Sequence, residues 1–246
     1  MSLEIIPVKI NREIEQNDDI SELILLSTSK PEIKDNDILI VTQKIISKQE
    51  GRVVQLSTIM PSLLATGIGS EYGKDPRVVQ KILEESKRIV RLNDGVIISE
   101  TIHGFVCANA GVDESNVKQG YVTLLPKDAN ASAQKLRELI MKKTGKNIAV
   151  VISDTFGRPF RMGQTNCAIG LAGISAIADY VGTKDTFGRI LHSTEIAIVD
   201  EICSASELVM GKSLNTPITI VRNYKFNNSK SDVNYLLRPK DEDLFR

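Results

Sequence analysis

Several residue types are scarce in this chain of 246 residues, and each scarcity argues against a class of protein. Tryptophan is absent, aromatic residues make up 4%, and there are three cysteines and two histidines. Because Cys107, Cys167 and Cys203 are widely spaced and odd in number, we expect reduced thiols and not a disulfide framework. His103 and His192 are too isolated for a zinc cluster, and no HExxH or nucleophile-elbow sequence occurs, so zinc-enzyme and serine-hydrolase readings lose their usual support.

An excess of charge of one sign and long apolar runs are also missing. Lys and Arg total 31, and Asp and Glu total 31, so nothing in the composition favours a nucleic-acid partner or an anionic membrane surface. No run of about 18 apolar residues occurs, and the first residues lack the basic and apolar parts of a secretory leader. We therefore expect a soluble, cytoplasmic protein.

The sequence does contain an alternation of strand-like and helix-like segments. Hydrophobic residues make up 41% of the chain, which is enough for a substantial core. The predicted strands are 3–10, 38–41, 96–98, 105–108, 121–125, 148–152, 196–199 and 218–221. The predicted helices are 21–26, one beginning at 42–44, 76–89, 132–143 and one reaching 210. The pattern predicts one α+β domain over residues 1–246, with mixed sheets and helices, and it is compatible with two lobes that no linker separates.

Acidic residues follow three of the predicted strands. Asp113, Asp154 and the pair Asp200-Glu201 come after apolar runs, where loops gather at one rim of a sheet. Carboxylates there can hold magnesium or manganese between themselves and phosphates, and Thr155 can add an oxygen. Asp is also a common turn residue after strands, so the pattern leaves a metal site and ordinary turns both open.

Two sets of basic residues are candidates for binding anions. Arg158 and Arg161 lie in the glycine- and proline-containing segment 155–165, and their planar guanidinium groups suit phosphates and carboxylates. Lys44 and Lys48 are one helical turn apart near a predicted helix N-terminus, where phosphate is also attracted. Solvated arginines in a surface loop and a solvated lysine face remain the alternatives.

Two nucleotide-binding motifs are approached but not completed. Met210-Gly211-Lys212-Ser213 resembles the end of a P-loop, but the first glycine of that motif would fall at Ser206, inside a predicted helix. The segment Gly67-Ile68-Gly69-Ser70 lacks the full dinucleotide fingerprint and follows no clear strand. We therefore predict neither a Walker-type nor a Rossmann-type site.

Four motifs in order carry a resemblance to a known family. They are VTQK at 41–44 with SKQEGR at 47–52, NAGVDESN at 109–116, SDTFGRP at 153–159, and DE at 200–201 with ELVMG at 207–211. Together they span nearly the whole chain, and they resemble the coenzyme F-420:L-glutamate ligase family. The resemblance implies a mixed α+β fold in an intertwined homodimer.

The resemblance also implies an activity and a set of site residues. The activity is GTP-dependent addition of L-glutamate to coenzyme F-420-0 through an amide bond, by way of an acyl phosphate, with release of GDP and phosphate. Two divalent cations, magnesium or manganese, are implied, with Asp113 and Asp154 as ligands of one and Thr155 of the other. The implied nucleotide contacts are Pro7, Val8, Lys9, Ile10, Gln43, Lys44, Lys48, Asn116, Met210 and Gly211. The assignment of Arg158 and Arg161 to a carboxylate or the γ-phosphate is our inference from chemistry alone.

The chain departs from the family pattern at three positions. Gln43 stands where serine is expected, Phe160 where tryptophan is common, and Lys212 where glutamine or glutamate is frequent. If position 212 supplies an oxygen to the second cation, lysine has none to give. Two alternative functions also stay open: a ligase of the same architecture for another carboxylate acceptor, and a non-catalytic deazaflavin-binding protein.

Overall fold

The structure is a computed structural model that describes residues 2–28, 32–228 and 231–243, which form a mixed α+β fold as expected. The strands are β1 Glu4–Val8, β2 Ile38–Thr42, β3 Val53–Gln55, β4 Ser86–Asn93, β5 Val96–Thr101, β6 Val106–Ala108, β7 Tyr121–Thr123, β8 Ala149–Arg158, β9 Arg161–Ala172, β10 Ala178–Asp179, β11 Glu195–Ile196 and β12 Ile218–Arg222. The helices are α1 Ile20–Ser27, α2 Gln43–Gln49, α3 Leu63–Tyr72, α4 Pro76–Glu84, α5 Ala129–Thr144 and α6 Ile198–Met210.

A five-stranded sheet in the order β1-β12-β2-β8-β9 forms the centre of the fold. Its β2 and β8 are parallel neighbours, and its other pairs are antiparallel. Residues 38–41 of β2 and 149–152 of β8, which pair with each other, are buried aliphatic residues, as expected for strand segments covered on both faces. Helices α5 and α6 pack against β9, so the central strands lie inside the molecule.

The buried apolar side chains of the described residues divide into two clusters. The large cluster surrounds the five-stranded sheet and includes Ile24, Ile40, Ile140 and Val151. The small cluster is formed by residues of α3, α4, β5 and β7 and of the segments beside them. Its buried members are Leu56, Ala65, Val78, Val79, Ile82, Ile97, Ala110, Val112, Val122 and Leu124.

A polar junction connects the segments that carry the two clusters. The Arg52 guanidinium donates to Glu85 Oε2 at 2.7 Å and to the Leu125 carbonyl oxygen at 2.8 Å. Lys44, on α2 beside the large cluster, donates to Asp113, which directly follows Val112 of the small cluster. The relative position of the two clusters is thus fixed partly by charged groups.

Several predicted boundaries were wrong. The helix expected over 76–89 ends at Glu84, and Ser86 and Ile89 belong to β4. The strand expected over 196–199 is also wrong, because Ile198 begins α6 and only residue 196 pairs in β11. Short runs of apolar β-branched residues fit a buried helix face and a strand equally well, which is why the pattern misled there.

Other sequence expectations are confirmed. Cys107, Cys167 and Cys203 are free thiols. Ser206 lies within α6, whereas the first glycine of a P-loop would lie in a loop. The segment 67–70 lies within α3, whereas a dinucleotide-binding motif would begin in a turn. No helix in the described part of the chain has both the length and the apolar character needed to span a bilayer.

Candidate active site

Asp154 and Thr155 lie where two parallel strands separate. The parallel pairing ends at Thr42 opposite Ser153, and the chain after Thr42 turns into α2. Strand β8 does not end there, as the sequence suggested, but continues to Arg158 in a hairpin with β9. Asp154 is therefore the first β8 residue beyond β2, with its backbone held by β9 on the other side.

Asp113 is held opposite this point by a compact set of hydrogen bonds. Lys44 Nζ donates to Asp113 Oδ2 at 2.5 Å and to the Ser115 hydroxyl at 2.7 Å. The Ser115 backbone N–H donates to Asp113 Oδ1 at 2.7 Å, so both carboxylate oxygens are engaged. The Asp113 backbone forms a bridge with Thr123, which fixes the segment against β7. Lys44, at the start of α2, is thereby placed between β2 and Asp113.

The two carboxylates have opposite electrostatic environments. Burial would raise the pKa of Asp113, but Lys44 and Ser115 outweigh it and hold that pKa below its ordinary value. Burial raises the pKa of Asp154 to about 6, with the negative charge of Asp113 adding to the rise and a hydrogen bond from the Thr155 N–H opposing it. Asp154 is half-buried beside another carboxylate, and the ammonium groups of Lys44 and Lys212 only partly compensate it.

The pair fits one divalent cation. A carboxylate whose charge is insufficiently neutralised next to a second carboxylate is what a cation would stabilise. Among the residues that the structure describes, no group of three or more His, Cys, Asp and Glu side chains is placed to hold a metal ion. A magnesium-like cation on Asp113 and Asp154 would complete its shell with phosphate oxygens and water, as such ions commonly do.

Thr155 belongs to a different set of contacts. Its hydroxyl donates to Asn166 Oδ1 at 2.7 Å and accepts from Lys212 Nζ at 2.8 Å. Asn166 Nδ2 donates to Glu207 Oε2 at 2.9 Å, and Lys212 Nζ lies 3.1 Å from Glu207 Oε1. The four side chains come from β8, β9, the last turn of α6 and the residues after it. Position 212 thus contributes an ammonium group and no side-chain oxygen that could bind a metal ion.

Asn166 is a site residue that the sequence did not indicate. It lies in the glycine- and alanine-rich segment 163–177, and no motif singles it out. Its partnership with Thr155 follows from the antiparallel register of β8 and β9, where the two residues are opposite each other. Asp200 and Glu201, by contrast, do not follow a strand. They lie in the first turn of α6, where Asp200 Oδ1 accepts from the Ala168 N–H at 2.8 Å.

The predicted nucleotide contacts of the first strand lie near the segment after α6. Pro7, Val8, Lys9 and Ile10 line one side of a concavity of about 620 Å³. The Ile10 N–H donates to the Asn215 carbonyl oxygen at 3.0 Å, which ties this stretch to the loop that begins at Gly211.

The remaining predicted contacts differ in exposure. Gln43 is buried and accepts from the Ser47 hydroxyl at 2.7 Å. Lys48 donates to the Glu13 carboxylate. Asn116 is exposed and Met210 is buried. Gln43 and Lys48 share α2 with Lys44, and Asn116 follows Ser115, which Lys44 contacts. The nucleotide role of these residues stays a prediction.

The two predicted arginines lie at the tip of the β8–β9 hairpin. Arg158 Nη2 donates to the Met162 carbonyl oxygen at 2.8 Å, while its Nε is buried without a hydrogen-bond partner. Arg161 begins β9 and is exposed. Arg158 lies four positions along the extended strand from Asp154, a distance of about 13 Å. The arginines are therefore not brought beside the two carboxylates within this chain.

Comparison with known proteins agrees with the motif order. Residues 9–223 match the model of a family described as F420-0:Gamma-glutamyl ligase. A protein named Coenzyme F420:L-glutamate ligase from Methanothermobacter thermautotrophicus is 43% identical, with 100% of both chains covered. Proteins of the same name from Methanocaldococcus jannaschii and Archaeoglobus fulgidus are 48% and 38% identical, covering 92% and 100% of this chain and 90% and 97% of their own. The chain therefore belongs to the F420-0:gamma-glutamyl ligase family.

Proposed function

We propose that this chain is a GTP-dependent γ-glutamyl ligase that joins L-glutamate to coenzyme F-420-0 through an amide bond. Family membership and the names of the full-length relatives support the reaction. The observation that carries the proposal is the arrangement of Asp113, Asp154 and Lys44 at the point where β2 and β8 separate. Two carboxylates with an ammonium beside them suit a site that handles phosphate and a divalent cation.

The proposed chemistry has two steps. The coenzyme carboxylate accepts the γ-phosphoryl group of GTP to give an acyl phosphate and GDP. The amine of L-glutamate then attacks the acyl carbon, the amide bond forms, and phosphate leaves. A divalent cation held by Asp113 and Asp154 would neutralise phosphate charge during this transfer.

The side chains of the chain contribute position and charge. Lys44 is anchored by Asp113 and Ser115, which take up its three N–H donors, so its ammonium has a defined place at the start of α2 and attracts a nearby phosphate through its positive charge. Gln43, Lys48, Asn116 and the segment 7–10 complete the proposed nucleotide site. No nucleophilic side chain is required, because phosphoryl transfer depends mainly on positioning and charge stabilisation.

The proposal extends to the assembly. Arg158 and Arg161, at the exposed hairpin tip, are proposed to bind a carboxylate or a phosphate. Since the tip is distant from Asp154 of the same chain, the proposed homodimer offers a second site that these arginines can serve. We further propose that residues 1–246 act as one cytoplasmic ligase domain.

Mass spectrometry of the coenzyme tests the reaction directly. Glutamate-free coenzyme is incubated with the protein, L-glutamate, GTP and manganese, and parallel samples omit GTP, replace it with ATP, or omit the metal. We expect glutamate-sized mass increments that require GTP and metal together. An unchanged coenzyme that still binds tightly would instead favour a carrier, and turnover on a different carboxylate would favour another acceptor.

Matched variants separate the site from the fold. Asp154→Asn removes the charge of the candidate ligand and should abolish the mass increments. Asp94→Asn removes a carboxylate from the exposed turn between β4 and β5, where Asn tolerates the positive φ of 47°, and should react normally. Normal turnover by Asp154→Asn would refute the metal assignment.

A further inference from the structure

Lys212 directs its ammonium group into the contacts around Thr155. It follows Gly211, which ends α6 with φ 57° and ψ −178°, a backbone conformation that is essentially restricted to glycine. This turn brings Lys212 Nζ to 2.8 Å from the Thr155 hydroxyl and 3.1 Å from Glu207 Oε1. The Lys212 charge also acts to lower the pKa of Asp154, so it lies within electrostatic range of the candidate metal ligands.

The oxygen atoms near Thr155 are already engaged. The Thr155 hydroxyl hydrogen goes to Asn166 Oδ1, and one of its lone pairs accepts from Lys212. The Glu207 carboxylate accepts from Asn166 through one oxygen and faces the ammonium with the other. Ser204 Oγ donates to the Asn166 carbonyl oxygen at 2.8 Å, which links β9 to α6 and holds the arrangement in place.

Charge, more than space, opposes a cation at this position. The Thr155 hydroxyl keeps one lone pair, and a divalent cation bound there would approach its oxygen to about 2.1 Å. The same oxygen already has a full positive charge 2.8 Å away on Lys212. Like charges at such separations repel each other, although solvent screens part of the repulsion because the Lys212 side chain is 63% exposed. Asp113 also has an ammonium beside it, but there Lys44 faces two carboxylates, whereas Lys212 already balances the single carboxylate of Glu207. The residues around Thr155 therefore leave no net negative charge for a second divalent cation.

We propose that the Lys212 ammonium takes the place of a second divalent cation, so that each chain of this ligase binds one divalent cation, at Asp113 and Asp154. This inference rests on the proposed function. The positive charge of Lys212 beside Thr155 serves the same anionic substrate groups that a second cation would neutralise. Because the Lys212 ammonium is covalently part of the chain, its positive charge does not depend on the metal concentration in solution.

The number of bound manganese ions tests the inference without reference to turnover. Protein is equilibrated with saturating manganese and a non-hydrolysable GTP analogue. Bound metal is then counted per chain, and electron paramagnetic resonance detects spin coupling between neighbouring manganese ions. We expect about one manganese per wild-type chain and no coupling. Lys212→Gln should bind about two and show coupling, because it replaces the ammonium with an amide oxygen.

Lys212→Arg is the matched control. It keeps a positive charge at position 212 and should stay at about one manganese per chain, and circular dichroism confirms that both variants are folded. Two manganese ions on the wild type, or one on Lys212→Gln, would overturn the inference. The mass-spectrometric assay is run on the same samples: wild type that adds glutamate but binds two manganese ions refutes only the role of Lys212. Wild type that binds no manganese and adds no glutamate refutes both proposals.

Discussion

At the scale of single residues, Asp113 and Asp154 are a pair of like side chains in unlike surroundings. Asp113 is stabilised as a carboxylate by Lys44 and Ser115. Asp154 is desolvated beside Asp113, and the hydrogen bond from the Thr155 N–H offsets only part of the resulting rise in its pKa. The ionised Asp154 carboxylate lowers the free energy of unfolding when no metal is bound. Its presence is therefore more readily explained by a role in function than by a role in stability.

The first prediction concerns the stability of Asp154→Asn. The pKa of Asp154 is raised to about 6 in the folded protein, above its unfolded value, so the ionised group destabilises the fold at neutral pH. Removing it should stabilise the metal-free protein by about 1 to 2 kcal/mol near pH 8. The gain should shrink as the pH falls through about 6 and vanish below about 4, which urea unfolding at several pH values measures.

Asp113→Asn provides the opposite sign. The pKa of Asp113 is lowered in the fold, so its charge is stabilising above its unfolded pKa and this variant should be less stable near neutral pH. A gain in stability for both variants would show that simple desolvation governs the pair. That result would contradict the distinct roles given to Lys44 and Ser115.

The sequence identified the two aspartates but not their surroundings. Asp154 comes just after a buried aliphatic run and Asp113 a few residues after a predicted strand, and both patterns are visible without a structure. The contact of Thr155 with Asn166 depends on the register of the β8–β9 hairpin, and the contact of Asn166 with Glu207 on how α6 packs over β9. Such distant pairings leave no periodicity in the chain.

At the scale of secondary-structure elements, α5 lies unusually close to β9 at Gly170. An added Cβ there would lie 2.4 Å from the carbonyl carbon and oxygen of Ala129, which begins α5. Backbone atoms cannot move aside as a side chain can. The first turn of α5 therefore rests on a strand position that has no side chain.

We predict that Gly170→Ala separates α5 from the sheet. Forcing a methyl group into this contact should destabilise the protein by about 2 kcal/mol or more, measured by urea unfolding. Gly157→Ala, in the neighbouring strand β8, is the control because its added Cβ would meet no atom within 4 Å. Equal losses in the two variants would mean that strand glycines matter here for backbone freedom and not for helix packing.

The N-terminus of α1 gives a pH-dependent prediction. Asp19 caps the helix by accepting from the Glu22 N–H at 3.1 Å, and its other oxygen accepts from Lys143 of α5 at 2.7 Å. Hydrogen bonds from Lys143 and Ser21 lower the pKa of Asp19 to about 2. Asp19→Ala should cost about 1 kcal/mol above pH 4, since the side chain is exposed and its ion pair is screened.

This difference should follow the protonation of Asp19. Because the folded pKa is depressed, the stabilisation is present above the unfolded pKa near 4 and is lost as the pH falls through about 2. Lys143→Ala removes the ion pair but keeps the cap, so its loss should be smaller. A pH-independent loss for Asp19→Ala would show that the cap hydrogen bond is independent of charge.

Elements with strong local signals were predicted well, and those decided by their neighbours were not. The start of α4 is marked by the N-cap Asp75 and by Pro76 in the first turn. Strand β2 and the first part of β8 are marked by runs of aliphatic residues. The end of α4 was missed because Ser86 and Ile89 keep a helical spacing, yet they pair with β5 across two register shifts. Pairing with β5, and not the local spacing of apolar residues, therefore determines that this segment is a strand.

At the scale of the whole molecule, the candidate site lies between the two core clusters. Asp113 follows Val112 of the small cluster, and Asp154 follows Ile152 of the large one. The spacing of the two carboxylates therefore depends on how the clusters are joined. Arg52 is central to that junction, since it contacts both Glu85 and Leu125.

We predict that Arg52→Met weakens metal binding without touching a ligand. It leaves the Glu85 carboxylate, whose side chain is 12% exposed, without its charged partner, and should cost about 2 kcal/mol of stability. Manganese affinity, measured by titration in folded protein, should fall because the two carboxylates lose their fixed spacing. Adding Glu85→Gln should recover part of the stability but not the affinity.

The fold class was predictable from the mixture of strand and helix patterns, but the arrangement was not. The sheet order places the last strand, β12, between β1 and β2, and no local signal encodes that. Both clusters consist mainly of aliphatic residues, and the chain passes from one cluster to the other several times. For these reasons no linker marks a boundary between them in the sequence.

The position of Lys212 has a consequence for how such a site can change over generations. The lysine codons differ from those of glutamine and of glutamate in the first base alone. A chain with Lys212 beside Thr155 is thus one point mutation from a chain with an oxygen donor there. A single base change at this codon would therefore exchange the tethered charge for a side chain whose oxygen can bind a metal ion.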